Sequence, residues 1–242
     1  MFSVKSLADI NNKIIPHFDK YPLISQKLAD YILFKQALEF VNRKEHLTPE
    51  GLQEIVNLKA SMNRGLSETL TAVFPNTEPV PRPQVEFKGI QDPDWLAGFT
   101  SAEGCLAIKI CKSASLGRDA SLRGFAGGDA KTNTGFNVCL VFLITQHSRD
   151  EVLMRSLVEY LNCGNCIKHT TRDSIEFIVT RFSDIETKVI SFFYRHPIVG
   201  VKSLDFNDFC KVANIMKDGG HLTKEGLEQI REIKEGMNSG RK

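Results

Sequence analysis

One acidic residue in this sequence is set apart by its neighbours. Asp92 and Pro93 form a helix start, an N-cap aspartate followed by proline in the first turn. The helix they predict runs through Trp95-Leu96-Ala97-Gly98-Phe99-Thr100-Ser101-Ala102-Glu103 and stops at Gly104. Ala97, Gly98, Ser101 and Ala102 give it a small-residue face that a second helix can approach closely. Glu103 is the acid of its last turn. Two lysines form a second candidate set: Lys27 in ISQKLAD and Lys202 in VGVKSLD, each where a helix begins. Cys163 and Cys166 have CxxC spacing, but no second pair or histidine stands at zinc-ligand distance; a turn at Gly164 flanked by small packing cysteines accounts for them better. No phosphate-loop, nucleophile-elbow or HExxH pattern occurs.

The elements that position these residues emerge when the chain is compared with itself. Residues 2–66 align without a gap to 177–241 at an offset of 175, with 22 of 65 pairs identical, among them Asp9/Asp184, Lys27/Lys202, Asp30/Asp205, His46/His221 and Asn63/Asn238. This is a duplicated unit, and the sequence holds unequal parts of its two copies. Residues 91–242 form a complete unit, while 1–66 match only its C-terminal, helical part. Between them, residues 67–90 carry four of the nine prolines and read as an extended linker.

Within the complete unit, Cys105–Lys112 alternates as a half-buried strand, 113–134 is a Gly- and Ser-rich hairpin loop, and Gly135–His147 is a second strand. Ser148–Glu151 forms a capping box before a helix to Asn162; Asn165–Thr171 and Ser174–Arg181 form another hairpin. Ser183–Glu186 forms a second capping box, its helix ending near Arg195, and helices follow at 203–217 and 223–237. The order αββαββα, with four antiparallel strands and helices on one face, is an α+β fold.

Composition excludes other classes. Lys+Arg 31 against Asp+Glu 29 leave +2, so any nucleic-acid site is a local patch and not a polybasic tail. Apolar residues at 42% and charged residues at 25% are globular proportions. A mean hydropathy of −0.18 with no long apolar run predicts no membrane partner, and no apolar secretory segment is visible near Met1. Six scattered cysteines suit a reducing compartment.

The segment from Trp95 to Gly104 resembles the LAGLIDADG motif. With the duplicated αββαββα plan and the Lys27/Lys202 pair, the chain resembles a double-motif LAGLIDADG homing endonuclease of the kind encoded by group I introns in fungal mitochondria. The resemblance implies a four-stranded antiparallel saddle sheet on double-stranded DNA, phosphodiester hydrolysis and location in the mitochondrial matrix. Glu103 occupies the position of the motif's second acid. With the Ala102 carbonyl it would ligate Mg²⁺, a hard cation that prefers oxygen. Lys27 and Lys202 match lysines near the scissile phosphates, and Gln146 a position that holds the active-site water network. His147 is expected to cap or end a strand. The strand faces expected to read DNA are Cys105, Ala107, Lys109 and Cys111; Asn137, Cys139, Val141, Leu143 and Thr145; and Lys168, Thr170, Arg172, Glu176 and Thr180. Residues 109–131 add a local charge of +3 for phosphate contacts.

The 242 residues carry one such motif where the double-motif type has two. The missing acid would fall ahead of Met1 at the repeat offset. The chain therefore reads as truncated and impaired in isolation: a fragment of a longer frame, a decayed element, or a chain completed by a first-half polypeptide or by self-association through the motif helix. The alternative function is an RNA-splicing cofactor (maturase) acting on group I intron RNA, or an inactive DNA-binding remnant.

Overall fold

In the computed structural model the described residues are 3–112 and 134–241, and they divide into two units, residues 1–88 and 89–242. The expected hairpin loop and most of the +3 patch lie outside the described residues.

Unit 1 is helical. Three consecutive segments, Leu7–Asp9, Ile10–Ile14 and Ile15–Lys20, run on as α1, the middle one with wider i→i+5 turns. Helices α2 (Lys27–Asn42) and α3 (Pro49–Ala60) follow, α3 capped by Thr48, whose Oγ1 accepts the Gly51 N–H at 3.1 Å. The proline-rich segment differs from an open linker: it contains a short helix, α4 (Glu68–Val73), and its residues to Lys88 belong to unit 1. Arg82 fastens it, since the guanidinium can donate to several oxygens at once. Its Nη1 donates to Asp30 Oδ1 at 2.7 Å and Ser61 O at 2.8 Å, and its Nη2 to Gln26 O at 3.0 Å.

Unit 2 has the expected order: α5 (Pro93–Glu103), β1 (Gly104–Lys112), β2 (Phe136–His147), α6 (Glu151–Leu161), β3 (Asn165–Lys168) and β4 (Ser174–Val179). Next come α7, built from Phe182–Asp184, Ile185–Ile190 and Ser191–Arg195 in the same pattern as α1, then α8 (Lys202–Lys217) and α9 (Lys224–Glu235). The sheet is antiparallel with order β1-β2-β4-β3, which makes the fold α+β. Its inner face (Leu106, Ile108, Phe142, Ile144, Phe177) packs on α6, α7 and α8 through Met154, Leu157, Val189, Phe193 and Phe209.

The two capping boxes are not formed. His147 begins a short turn, Ser148–Asp150, by accepting the Arg149 N–H on Nδ1 at 3.2 Å, so the chain is already turned when α6 starts. Arg181, not Ser183, is the N-cap of α7, with no side-chain hydrogen bond.

Candidate active site

The site is built on the end of α5. Asp92 Oδ1 accepts the Asp94 N–H at 2.9 Å, and Pro93 follows in the first turn, so the helix starts as its sequence dictates. It stops at Gly104, whose N–H bonds Thr100 O. A Cβ there would lie 2.6 Å from Thr100 Cγ2 and 2.7 Å from Thr100 O, so close approach is what requires glycine. Leu96, Ala97 and Thr100 are buried, while Gly98, Ala102 and Glu103 face solvent.

Lys202, the first residue of α8, donates from Nζ to Gly104 O, which places its ammonium one residue from Glu103. Asn238 Nδ2 donates to Leu106 O at 3.0 Å, two residues further along β1. Gly104 pairs with Ile144 on β2, and half-buried Gln146 lies two residues beyond that partner. Glu103, Ala102 and Lys202 thus meet at the α5–β1 junction, whereas Gln146 departs from expectation: it pairs with fully buried Ile175 and so occupies an inner-face position of β2. Lys27 belongs to unit 1, where its Nζ donates to Asn63 Oδ1 at 2.8 Å. Sequence reasoning missed Asn238; its retention as Asn63/Asn238 in the repeat was the available signal.

The outer sheet face departs from expectation at three places. Cys139 and Val141 are 1% and 2% exposed, because they sit on a central strand and their short side chains lie below longer neighbours such as Lys109. Burial pushes the Cys139 thiol up to about 12, which makes it inert. Lys168 points the other way: it pairs with fully buried Ile175, and its Nζ reaches Glu151 Oε2 on α6 at 2.6 Å. The alternation expected through Thr170 and Arg172 is broken because β3 ends at Lys168. Cys166, beside the left-handed turn at Gly164, takes the inner position, and its Sγ contacts Met154 O at 3.0 Å. Asn165 and Ile167, both exposed, are the residues of β3 on the outer face.

The remaining outer residues are Cys105, Ala107, Lys109, Cys111, Asn137, Leu143, Thr145 and Glu176, all half-buried, with Thr180 just past β4 and Thr170 and Arg172 exposed in the β3–β4 turn. Arg172 Nη2 donates to Glu176 Oε1 at 2.7 Å, and His169 Nε2 lies 3.1 Å from that same oxygen, so the outer face at the turn is an ion-paired cluster. Among the described residues, no group of three or more His, Cys, Asp or Glu side chains is placed to hold a metal.

The model of the LAGLIDADG endonuclease family matches residues 1–38 and 96–213. The chain belongs to the LAGLIDADG endonuclease family. "Probable intron-encoded endonuclease 3" of Neurospora crassa is 39% identical over 95% of this chain and 40% of its own length. "Probable intron-encoded endonuclease 2" of the same fungus is 36% identical over 98% of this chain and 49% of its own. The chain thus spans less than half the length of these two relatives. Among solved structures, the LAGLIDADG homing endonuclease I-SmaMI bound to cleaved DNA is 47% identical, covering 99% of this chain and 74% of that one, with a TM-score of 0.89. I-LtrWI bound to target DNA is 41% identical, covering 100% of this chain and 75% of that one, with a TM-score of 0.88. LAGLIDADG endonucleases generally use divalent metal ions, and I-SmaMI has been solved on uncleaved DNA with calcium ions.

Proposed function

We propose that this chain supplies one catalytic half of a site-specific, intron-encoded endonuclease that hydrolyses double-stranded DNA. The observation that carries the reading is the Lys202 ammonium held at Gly104 O, beside Glu103 on the family's motif helix. Two hard oxygen donors, the Glu103 carboxylate and the Ala102 carbonyl at a helix C-terminus, suit Mg²⁺ in charge and hardness. When bound, Mg²⁺ supplies an activated water and a counter-charge for the leaving oxygen. Lys202 contributes a fixed positive charge for the phosphate, and Lys27 is its repeat counterpart in unit 1. Lys109, Asn137, Thr145 and Arg172, with Asn165 and Ile167 in place of Lys168, supply the DNA-facing contacts.

Unit 1 reads best as the C-terminal part of a first LAGLIDADG domain that lacks its own sheet within these 242 residues. The support lies in its apolar face. Ile10, Ile14, Phe18 and Phe34 are half-buried, whereas their repeat counterparts Ile185, Val189, Phe193 and Phe209 are at most 1% exposed beneath a sheet. The same four line an open hollow of about 670 Å³. We assign the protein to mitochondria, with support from a Podospora anserina relative, "Uncharacterized 50.9 kDa protein in ND4 intron 1", 57% identical over 47 residues.

The test is a chain completed by a second copy of residues 89–176 placed ahead of Phe2, as the offset dictates, with DNA targets selected by binding from a random duplex pool. Glu103→Gln should abolish Mg²⁺-dependent cutting of at least one strand and leave DNA affinity within about twofold. Cutting of both strands by the variant at the unsubstituted rate would remove Glu103 from the mechanism.

A further inference from the structure

Two units with 22 identities in 65 aligned positions have kept one arrangement around their lysines. Each lysine opens a helix, and a buried aspartate stands three residues on: Asp30, 6% exposed, after Lys27, and Asp205, 5% exposed, after Lys202. Each aspartate accepts, at 3.0 Å, the backbone N–H of a left-handed asparagine, Asn63 or Asn238. These three residues are repeated in the sequence, but the fourth member is not. Asp205 is paired with Arg241, through Nε at 2.9 Å and Nη2 at 2.8 Å. The repeat position of Arg241 in unit 1 is Leu66, and the arginine that reaches Asp30 instead is Arg82, from the proline-rich segment. Recruitment of an arginine from a different part of the chain argues that the carboxylate needs one.

The need follows from charge. Burial is the largest influence on Asp30 and works to raise its pKa, but the hydrogen bonds from Arg82 and Asn63 outweigh it and hold the carboxyl below its ordinary value. A buried anion requires a partner. Besides Arg82, the cation at hand is Lys27, with Nζ 3.5 Å from Asp30 Oδ2, an oxygen that has no hydrogen-bond partner among the described residues. That ion pair is a loose one: the hydrogen bond from Lys27 Nζ goes to Asn63 Oδ1 at 2.8 Å, and the lysine side chain stays 55% exposed. In unit 2, Lys202 likewise reaches away from Asp205 to Gly104 O.

We propose that Arg82 and Arg241 are positioning residues for Lys27 and Lys202: by neutralising most of the charge on the aspartate three residues after each lysine, they keep the helix from drawing its own ammonium fully onto that carboxylate and leave it available to a phosphate. The proposal rests on the reading of the two lysines as phosphate-facing groups, and its test is independent of cleavage. The full chain is labelled with acetic anhydride and the modification of each lysine is read by mass spectrometry, with exposed Lys5 as the internal standard. In Arg82→Met, the loose Lys27–Asp30 pair tightens and Lys27 labelling drops about threefold, the scale that a part-exposed ion pair imposes. Where that variant loses its local fold, the double variant Asp30→Asn/Arg82→Met decides: it removes the capturing charge, keeps an acceptor for the Asn63 N–H, and should return Lys27 labelling to the unsubstituted level. Unchanged labelling in Arg82→Met, or labelling that stays low in the double variant, overturns the proposal. In the completed endonuclease, Arg82→Met should lower kcat and leave DNA affinity unchanged. If no form of the protein cuts DNA, the endonuclease reading fails, while the labelling still decides the role of Arg82.

Discussion

Asn238 holds β1 through its side chain and occupies a left-handed backbone position, and two substitutions separate the two effects. Its φ is 53°, and its Nδ2 donates to the carbonyl of Leu106, a residue with no exposed surface. Its own N–H goes to Asp205, a bond that any non-proline replacement keeps. Asn238→Gly therefore removes only the side-chain bond and orphans a carbonyl, a loss of about 1 kcal/mol. Asn238→Ala loses the same bond and adds the left-handed penalty of a Cβ, about 1 kcal/mol more, for a total near 2 kcal/mol. The chain has a single tryptophan, Trp95, stacked on Phe99 in α5. Its fluorescence in a urea titration reports unit 2 selectively. The expected order of midpoints is unsubstituted, then Gly, then Ala, with equal slopes. If the Gly and Ala variants unfold together, the backbone argument is wrong. If the Gly variant matches the unsubstituted chain, the Leu106 carbonyl does not depend on Asn238.

The other expectations concern packing and pH. Phe209→Ala should cost about 3–5 kcal/mol, because the ring is fully buried, while its repeat counterpart Phe34→Ala should cost about 1–2 kcal/mol; thermal melts of the two variants compare them. Gly104→Ala should destabilise unit 2 by about 2 kcal/mol or more, since the obstructing Thr100 carbonyl is backbone that cannot rotate aside; a melt without a shift would refute the close-approach argument. His221 has its pKa lowered from 6.5 mainly by burial, partly opposed by a hydrogen bond that its ring donates to the Met216 backbone carbonyl, so the unfolded chain takes up its proton more readily. Its contribution is present in full above pH 6.5 and is lost as pH falls through the lower folded value. His221→Asn should therefore flatten the decline in urea midpoint between pH 7 and about 5.

Much of the fold was legible because the sequence states it twice. The repeat fixed the homologous helices, and the Thr48/Thr223 caps and the Asp30/Asp205 bonds recur at the same offset. The motif puts Glu103 at the end of α5, and the repeated lysine Lys202 bonds the residue that follows it. What remained hidden depended on direction and on long-range partners. On β3, the expected outward position of Lys168 is not taken up, because the register that follows the left-handed Gly164 turn puts Cys166 and Lys168 opposite the inner residues Phe177 and Ile175. Alternation marks Cys139 and Val141 as outer residues, but it does not report that short side chains on a central strand lie below their neighbours. Arg82 was invisible for a different reason. It breaks the repeat in sequence and restores it in space, so it shows itself only when Asp30 is seen to need a counter-ion.

The same bonds explain why the acid and the lysine have to be considered together. In the order β1-β2-β4-β3, β1 is an edge strand. Gly104 and Leu106 are two residues apart, so their carbonyls point to one side, and that side faces away from the β2 ladder. Lys202 and Asn238 fill it, so the edge is closed by side chains where another strand could otherwise add. Asp205 ties the two together, since it stands one turn after Lys202 and holds the Asn238 N–H. The strand that leaves Glu103 is therefore fixed at its first and third residues by one network rooted in α8. A change at Asp205 should disturb Lys202, Asn238 and the exit of the motif helix at once, and substitutions among these residues should be strongly non-additive in a double-mutant cycle. Additive losses for Asp205→Asn and Asn238→Gly would mean that the acid and the lysine are supported independently.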